Sequence, residues 1–212
     1  MSIRFTRKMR QTDPIRTAQR RQQIMDAAMQ CFKERGFHAA SMAMICKTAH
    51  MSPGHVYHYF DSKESLIRTI VEEDSNKAEL RVQAMLNSAN LLESILNEFE
   101  HISTDRYRIS GVLNAEITAE SVRNPEIYTI LSERNQRIVQ NIVRVLNLAK
   151  SKNQIRQSLD SEGFAIVLFT LIEGWTTRMD TCHASPGVDV NQTLREMLST
   201  MLSPNHSGTG SA

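Results

Sequence analysis

Residues Ser41 to Lys63, SMAMICKTAHMSPGHVYHYFDSK, restrict the fold of this chain more than any other stretch. Met42, Ile45, Cys46 and Ala49 recur at i, i+3, i+4 and i+7, one face of a helix. Ser41 is a favourable N-cap in front of them. His50, Met51 and Ser52 break the period. Ser52 can cap a second helix with Pro53 at its first position, where a missing N–H costs nothing. That helix is predicted over Pro53–Phe60, with Val56 and Phe60 facing the core. Ser62 caps the next helix, and Ser65 falls at its N3 position. Two short helices with a three- or four-residue turn make a helix-turn-helix unit, whose second helix enters the DNA major groove. A generic helical hairpin has the same apolar spacing, so the polar face must separate the two. His55, Tyr57, His58 and Tyr59 crowd about a turn and a half, and Lys63 follows. Hydroxyls, imidazoles and an ammonium suit phosphates and base edges. The small Gly54 allows close approach to DNA. His55 and His58 are three apart, but no third metal ligand is evident beside them.

Several of these residues also carry a resemblance. Gly36-Phe37, Ser41, Ile45, Ala49, Ser52-Pro53-Gly54, Tyr57-His58-Tyr59-Phe60, Ser62-Lys63-Glu64 and Leu66 resemble the N-terminal signature of TetR-type transcriptional repressors, over roughly Arg20 to Val71. The resemblance implies that the start of the second helix reads bases, while Ser41, Tyr57, Tyr59 and Lys63 hold the DNA backbone. The DNA-binding set is then Ser41, Ser52, Pro53, Gly54, His55, Tyr57, His58, Tyr59 and Lys63. Two positions depart from the pattern. His50 stands in the turn where the family usually has Gly, and histidine is among the side chains that tolerate positive φ. Tyr59 stands where the family usually has His, and its hydroxyl can still donate to a phosphate.

Scarce Gly and Pro, and no strand-like alternation, favour an all-α fold. The longest apolar run, Phe164 to Ile172, is too short for a bilayer, which takes about 20 residues. The N-terminus has no signal-peptide core, and Cys31, Cys46 and Cys182 follow no metal spacing. A cytoplasmic protein with reduced thiols is expected. Residues 1–21 hold seven basic side chains and one acid; with +2 for the whole chain, the rest sums to about −4. Residues 1–16 read as a basic arm that either tracks phosphates or is simply solvated.

The first helix is predicted over Thr17–Arg35, with Ile24, Ala27, Ala28, Cys31 and Phe32 as its stripe and Gly36 as its cap. Residues 17–62 form the DNA-binding domain, 63–202 a helical ligand-binding and dimerisation domain, and 203–212 a tail. A helix from Ser62 to about Asn87 carries Leu66, Ile67, Ile70 and Val71, and a short one follows from Leu91 to about Ile102. In the helix from about Asp105 to Ser121, Glu116 and Glu120 fall within the apolar face of Ile109, Val112, Leu113 and Ile117. Buried carboxylates need partners. Two explanations stand: an ion pair with Arg134 or Arg178, or a pocket for a cationic or hydroxyl-rich ligand. Pocket candidates are Glu116, Glu120, Tyr128, Phe169 and Trp175.

Asn124-Pro125 opens a helix to about Lys150. RYRISGVLNAEITAESVRNPEI resembles the C-terminal domain of the BetI- and AcrR-like branch of the family. A helix from Asp160 or Ser161 to about Asp180 is apolar almost all round, with Phe164, Val167, Leu168, Leu171 and Trp175 on one side. Such a helix is covered on both sides. The last helix, about Val190 to Leu202, has its own stripe. The resemblance implies that these two helices pair with their copies through Leu171, Gly174, Trp175, Leu194, Met197, Leu198 and Met201; ordinary core is the plainer alternative. The expected function is a homodimeric repressor of a palindromic DNA operator, released by a small-molecule effector, with no cofactor, no metal and no membrane partner. A DNA-binding protein of this fold without a ligand, and an activator, remain alternatives. An enzyme is not expected: no Ser/His/Asp set, metal spacing or glycine-rich phosphate loop is present.

Overall fold

The computed structural model describes residues 14–102, 105–178 and 188–204. Residues 1–13 of the basic arm, Cys182 and most of the tail lie outside them, as do the side chains of Ile109, Val112 and Leu113. Among the described residues all regular structure is helical, and no helix is long and apolar enough to cross a membrane. The chain divides into unit 1, up to Leu66, and unit 2, from Ile67 onward. The division falls inside a continuous helix, a few residues later than the expected boundary at residue 62.

Unit 1 contains α1 (Pro14–Ala39), α2 (Met42–Thr48), α3 (Pro53–Tyr57) and the start of α4 (Lys63–Leu86). The predicted stripe of α1 is buried, together with Met25. The helix runs on past Arg35, with a break at Gly36 (φ 75°, ψ 159°). Glycine alone adopts that conformation cheaply. The break returns Phe37 to the core, where its ring lies 5.2 Å from that of Phe32. The extra turn is thus a product of tertiary burial, which helix periodicity does not report.

Ser41 caps α2 by accepting from Met44 N–H at 3.2 Å. The far end of α2 closes on His50, whose φ is +53°. His50 N–H donates to Lys47 C=O at 3.1 Å, and Met51 N–H donates to Cys46 C=O at 3.0 Å. Those two bonds make a Schellman motif, with His50 in the left-handed position usually held by glycine. Gln23 on α1 caps the same end, donating to Ala49 C=O at 2.8 Å. α3 is shorter than predicted. After Tyr57 the chain tightens into a turn, with Tyr59 and Phe60 N–H both donating to Val56 C=O. Ser62 and Ser65 exchange side-chain and backbone hydrogen bonds at 3.0 and 3.2 Å, a capping box that starts α4.

Unit 2 continues α4 and adds α5 (Leu91–Ile102), α6 (Asp105–Ser121), α7 (Pro125–Ser151), α8 (Ser161–Arg178) and α9 (Val190–Leu202). Asn124 caps α7 and Asp189 caps α9. Asp160, not Ser161, caps α8 by accepting from Glu162 N–H at 3.1 Å. α7 ends as α2 does: Asn153 sits at φ +56°, and Asn153 and Gln154 N–H reach Lys150 and Ala149 C=O. Gln154 then accepts from Leu91 N–H at 2.8 Å and so fixes the start of α5. The core joins Leu91, Ile95 and Leu96 of α5 to Val145, Leu146 and Ala149 of α7, Leu168 of α8, and Leu198 and Leu202 of α9.

His50 is the strained point of unit 1. A side chain in the left-handed region costs about 1–2 kcal/mol, part of which glycine returns as lost chain entropy. His50→Gly should therefore raise stability by roughly 1 kcal/mol and the Tm by about 2–4 °C. His50→Val should lower both. A thermal melt followed by circular dichroism checks this; a lower Tm for His50→Gly would show that the imidazole makes a stabilising contact of its own.

Candidate nucleic-acid interface and interior cavity

The core of unit 1 holds α3 by one face. Val56 and Phe60 are buried, and the Arg21 guanidinium lies 4.6 Å over the Phe60 ring. Behind them, burial pushes the Cys46 thiol above its usual range, only partly offset by a backbone hydrogen bond. Cys46 is accordingly a packing residue rather than a reactive one. Cys31 is buried as well, its sulfur 3.4 Å from the Thr48 hydroxyl.

The other face of α3 is open. Ser52, Pro53, Gly54, His55 and His58 are exposed, and Tyr57 is 51% exposed. The Ser52 hydroxyl makes no capping bond to its own helix. A Cβ built on Gly54 would meet nothing within 4 Å, so the fold itself does not require glycine there. Tyr59 is half-buried and packs its ring against His55 (5.7 Å between centroids) and, edge-on, against His58 (5.1 Å). Tyr59 thus joins the two histidines into one aromatic surface along α3 and the turn after it, with the Tyr57 side chain exposed nearby in sequence. Among the described residues no three His, Cys, Asp or Glu side chains gather as a metal site.

Ser41 and Lys63 have structural tasks beside any contact with DNA. Ser41 is exposed, and its hydroxyl caps α2. The Lys63 ammonium donates to Phe37 C=O at 2.7 Å and His38 C=O at 3.3 Å, and lies 4.5 Å over the Phe37 ring. It satisfies carbonyls at the end of α1, using two of its three donors.

Unit 2 contains a cavity of about 200 Å³ between α4, α5, α7 and α8, with Asn114 reaching it from α6. Its walls are mainly aliphatic, and Phe169 is among them. Glu116, Glu120, Tyr128 and Trp175 are not. Glu120 is buried and pairs with Arg123, one turn along, at 3.6 Å. Glu116 and Trp175 are half-buried, and Tyr128 is exposed. Arg134 does not meet either of the expected carboxylates; it pairs with Glu173 at 3.2 Å. Arg134, Glu173, Arg81 and Glu98 supply most of the charge on the cavity wall, and Arg81 pairs with Glu98 at 2.8 Å. Sequence reading singled out Arg134 as a candidate partner for a buried carboxylate. It missed the other three, because a charged residue at a stripe's edge looks like ordinary solvated surface.

The residues expected to join two copies fall into two groups. On α8, Leu171 is 40% exposed, and a Cβ on Gly174 would meet nothing within 4 Å. On α9, Met197 and Met201 are 42% and 36% exposed. Val167, assigned to the same side as Phe164, is 64% exposed, while Phe164 and Leu168 are buried. Leu198 is 1% exposed and belongs to the subunit's own core, and Leu194 packs against that core. The α9 stripe is wider than one interface, and its inner edge is committed to α5.

Residues 24–70 match the model of the bacterial regulatory proteins of the tetR family. The chain is 28% identical to the HTH-type transcriptional regulator UidR of Escherichia coli K12, over 86% of this chain and 92% of that protein. It is 25% identical to the HTH-type transcriptional repressor AcnR of Corynebacterium glutamicum, over 79% of this chain and 86% of that one. The structure of Salmonella enterica GusR superposes with a TM-score of 0.74 at 34% identity, over 91% of this chain and 98% of that chain.

The geometry of Lys63 predicts a separable phenotype. Lys63→Met should lower stability by about 1–3 kcal/mol through two lost charge-assisted bonds. It should weaken DNA binding while leaving its salt dependence unchanged. A salt slope reduced by about 1 would instead identify Lys63 as a phosphate contact.

Proposed function

This chain belongs to the TetR family of bacterial transcriptional regulators, and we propose that it is a homodimeric repressor released from a palindromic operator by a small molecule bound in unit 2. It is a DNA-binding regulator and not an enzyme, as its relatives are named. The observation that carries the proposal is the contrast between a buried anchor, Val56 of α3 with Phe60 in the turn after it, and an exposed start, Ser52 to His55. A helix anchored on one face and open at its N-terminal end can lie in a major groove with side chains on base edges. His55 beside the bare backbone of Gly54 is the base reader; Ser52, Tyr57, His58 and Tyr59 hold the strand on either side.

A second copy accounts for the apolar side chains left in water on α8 and α9. Two-fold pairing through Val167, Leu171, Met197 and Met201 would cover them, and Gly174 would admit close helix packing. Two recognition helices then read half-sites roughly 34–36 Å apart. The cavity gives the ligand a place. A ligand that binds one arrangement of the dimer more tightly shifts the population, and a coupling of about 1–3 kcal/mol is enough for useful release.

Fluorescence anisotropy on the DNA upstream of the chain's own gene tests this reading. His55→Ala should change the ranking of operator variants more than total affinity, by about 1–3 kcal/mol at the base it reads. Tyr57→Phe should weaken all sequences alike. Unchanged ranking and affinity for His55→Ala would remove α3 from the groove. For the dimer, Leu171→Glu combined with Met201→Glu should sediment as a monomer and lose the palindrome; a dimer that survives both would place the interface elsewhere.

A further inference from the structure

We propose that the cavity of unit 2 takes an elongated amphiphile with an apolar body and a terminal carboxylate, and that Arg134 is the residue that holds the carboxylate. The inference rests on the reading of unit 2 as the ligand-binding part and names the chemistry of that ligand.

The wall contributed by α7 runs from Arg134 through Ile138 and Ile142 to Leu146. At 1.5 Å per residue that stretch is roughly 18 Å long. Between its ends the lining is hydrocarbon from three further helices, such as Val82, Ile95, Leu168 and Phe169. A channel of that shape suits a chain or a flat ring system, and desolvating apolar surface drives its entry.

Arg134 stands at one end. Its side chain is only 11% exposed. Its hydrogen bonds all come from Nη1, which donates to Glu173 and to Asn135, both at 3.2 Å. Among the described residues Nε and Nη2 have no partner. Those two N–H groups lie side by side, the fork that matches a carboxylate bidentately. Neither nitrogen is among the buried atoms left without a partner, so this edge of the guanidinium is open to solvent and free to take a carboxylate.

The remaining charges fit this assignment. Arg81 already pairs with Glu98 at 2.8 Å, farther along the cavity. Asp74 is exposed, where water screens it. Glu173 is 33% exposed and touches Arg134 through one oxygen. It can keep that contact while the ligand takes the Nε–Nη2 edge, so the carboxylate adds to the pair rather than displacing it.

Isothermal calorimetry on the intact protein without DNA tests the proposal with three head groups on one chain: decanoate, decanol and decyltrimethylammonium, each below its micellar concentration. Decanoate should bind more tightly than decanol by about tenfold to a hundredfold, the worth of charge-assisted hydrogen bonds. Decyltrimethylammonium should bind more weakly than decanol. Arg134→Lys, which keeps the charge and loses the fork, should remove most of the preference for decanoate and leave decanol within about twofold. Decanoate that does not bind, or binds no better than decanol to the wild type, overturns the proposal, and that comparison needs no variant to fold. Operator binding is measured separately, so its failure would strike the repressor reading and not the ligand chemistry.

Discussion

Two hydrogen bonds across His50 set the geometry on which the rest of unit 1 depends. The carbonyls of Cys46 and Lys47 accept from Met51 and His50, and the chain turns through a left-handed residue between α2 and α3. That turn fixes where Val56 and Phe60 enter the core, and hence which side of α3 faces outward. Histidine occupies the position at some conformational cost, which the buried packing on both sides offsets. Two further clamps close the unit: Gln23 on the end of α2 and Lys63 on the end of α1. So short a helix needs this support, because five residues cannot hold a helical form alone.

Unit 2 solves a different problem. It is closely packed in one part and leaves a cavity in another. Packing concentrates where Leu91, Leu146, Ala149 and Leu198 meet, all of them buried. Farther along α7, toward Arg134, the helices leave space instead. Two ion pairs on its wall, Arg81 with Glu98 and Arg134 with Glu173, keep the cavity polar at particular points and hydrocarbon elsewhere.

Local signals were legible in the sequence. Ser41, Asn124 and Pro53 mark helix starts because caps and proline act on the nearest backbone groups. His50 was marked for positive φ only through the resemblance, in which glycine usually holds that place, and its φ is +53°. Signals that depend on a distant partner were not legible. The turn of helix beyond Gly36 exists because Phe37 reaches Phe32. Periodicity placed Glu116 and Glu120 on an apolar face, and Glu120 is indeed buried, yet neither lines the cavity. The arginine opposite an assumed carboxylate turned out to serve Glu173, which lies 39 positions along the chain. On α8 the apolar residues go all the way round, so the pattern could not tell which side faces inward.

The central claim is that two copies of this chain read one operator with paired α3 helices. Hydroxyl-radical footprinting of the purified protein on the DNA upstream of its own gene measures that directly. The account predicts two protected patches on one face of the duplex, related by the two-fold axis of a palindrome and about one helical turn apart. A single patch, or protection that ignores sequence, would contradict it.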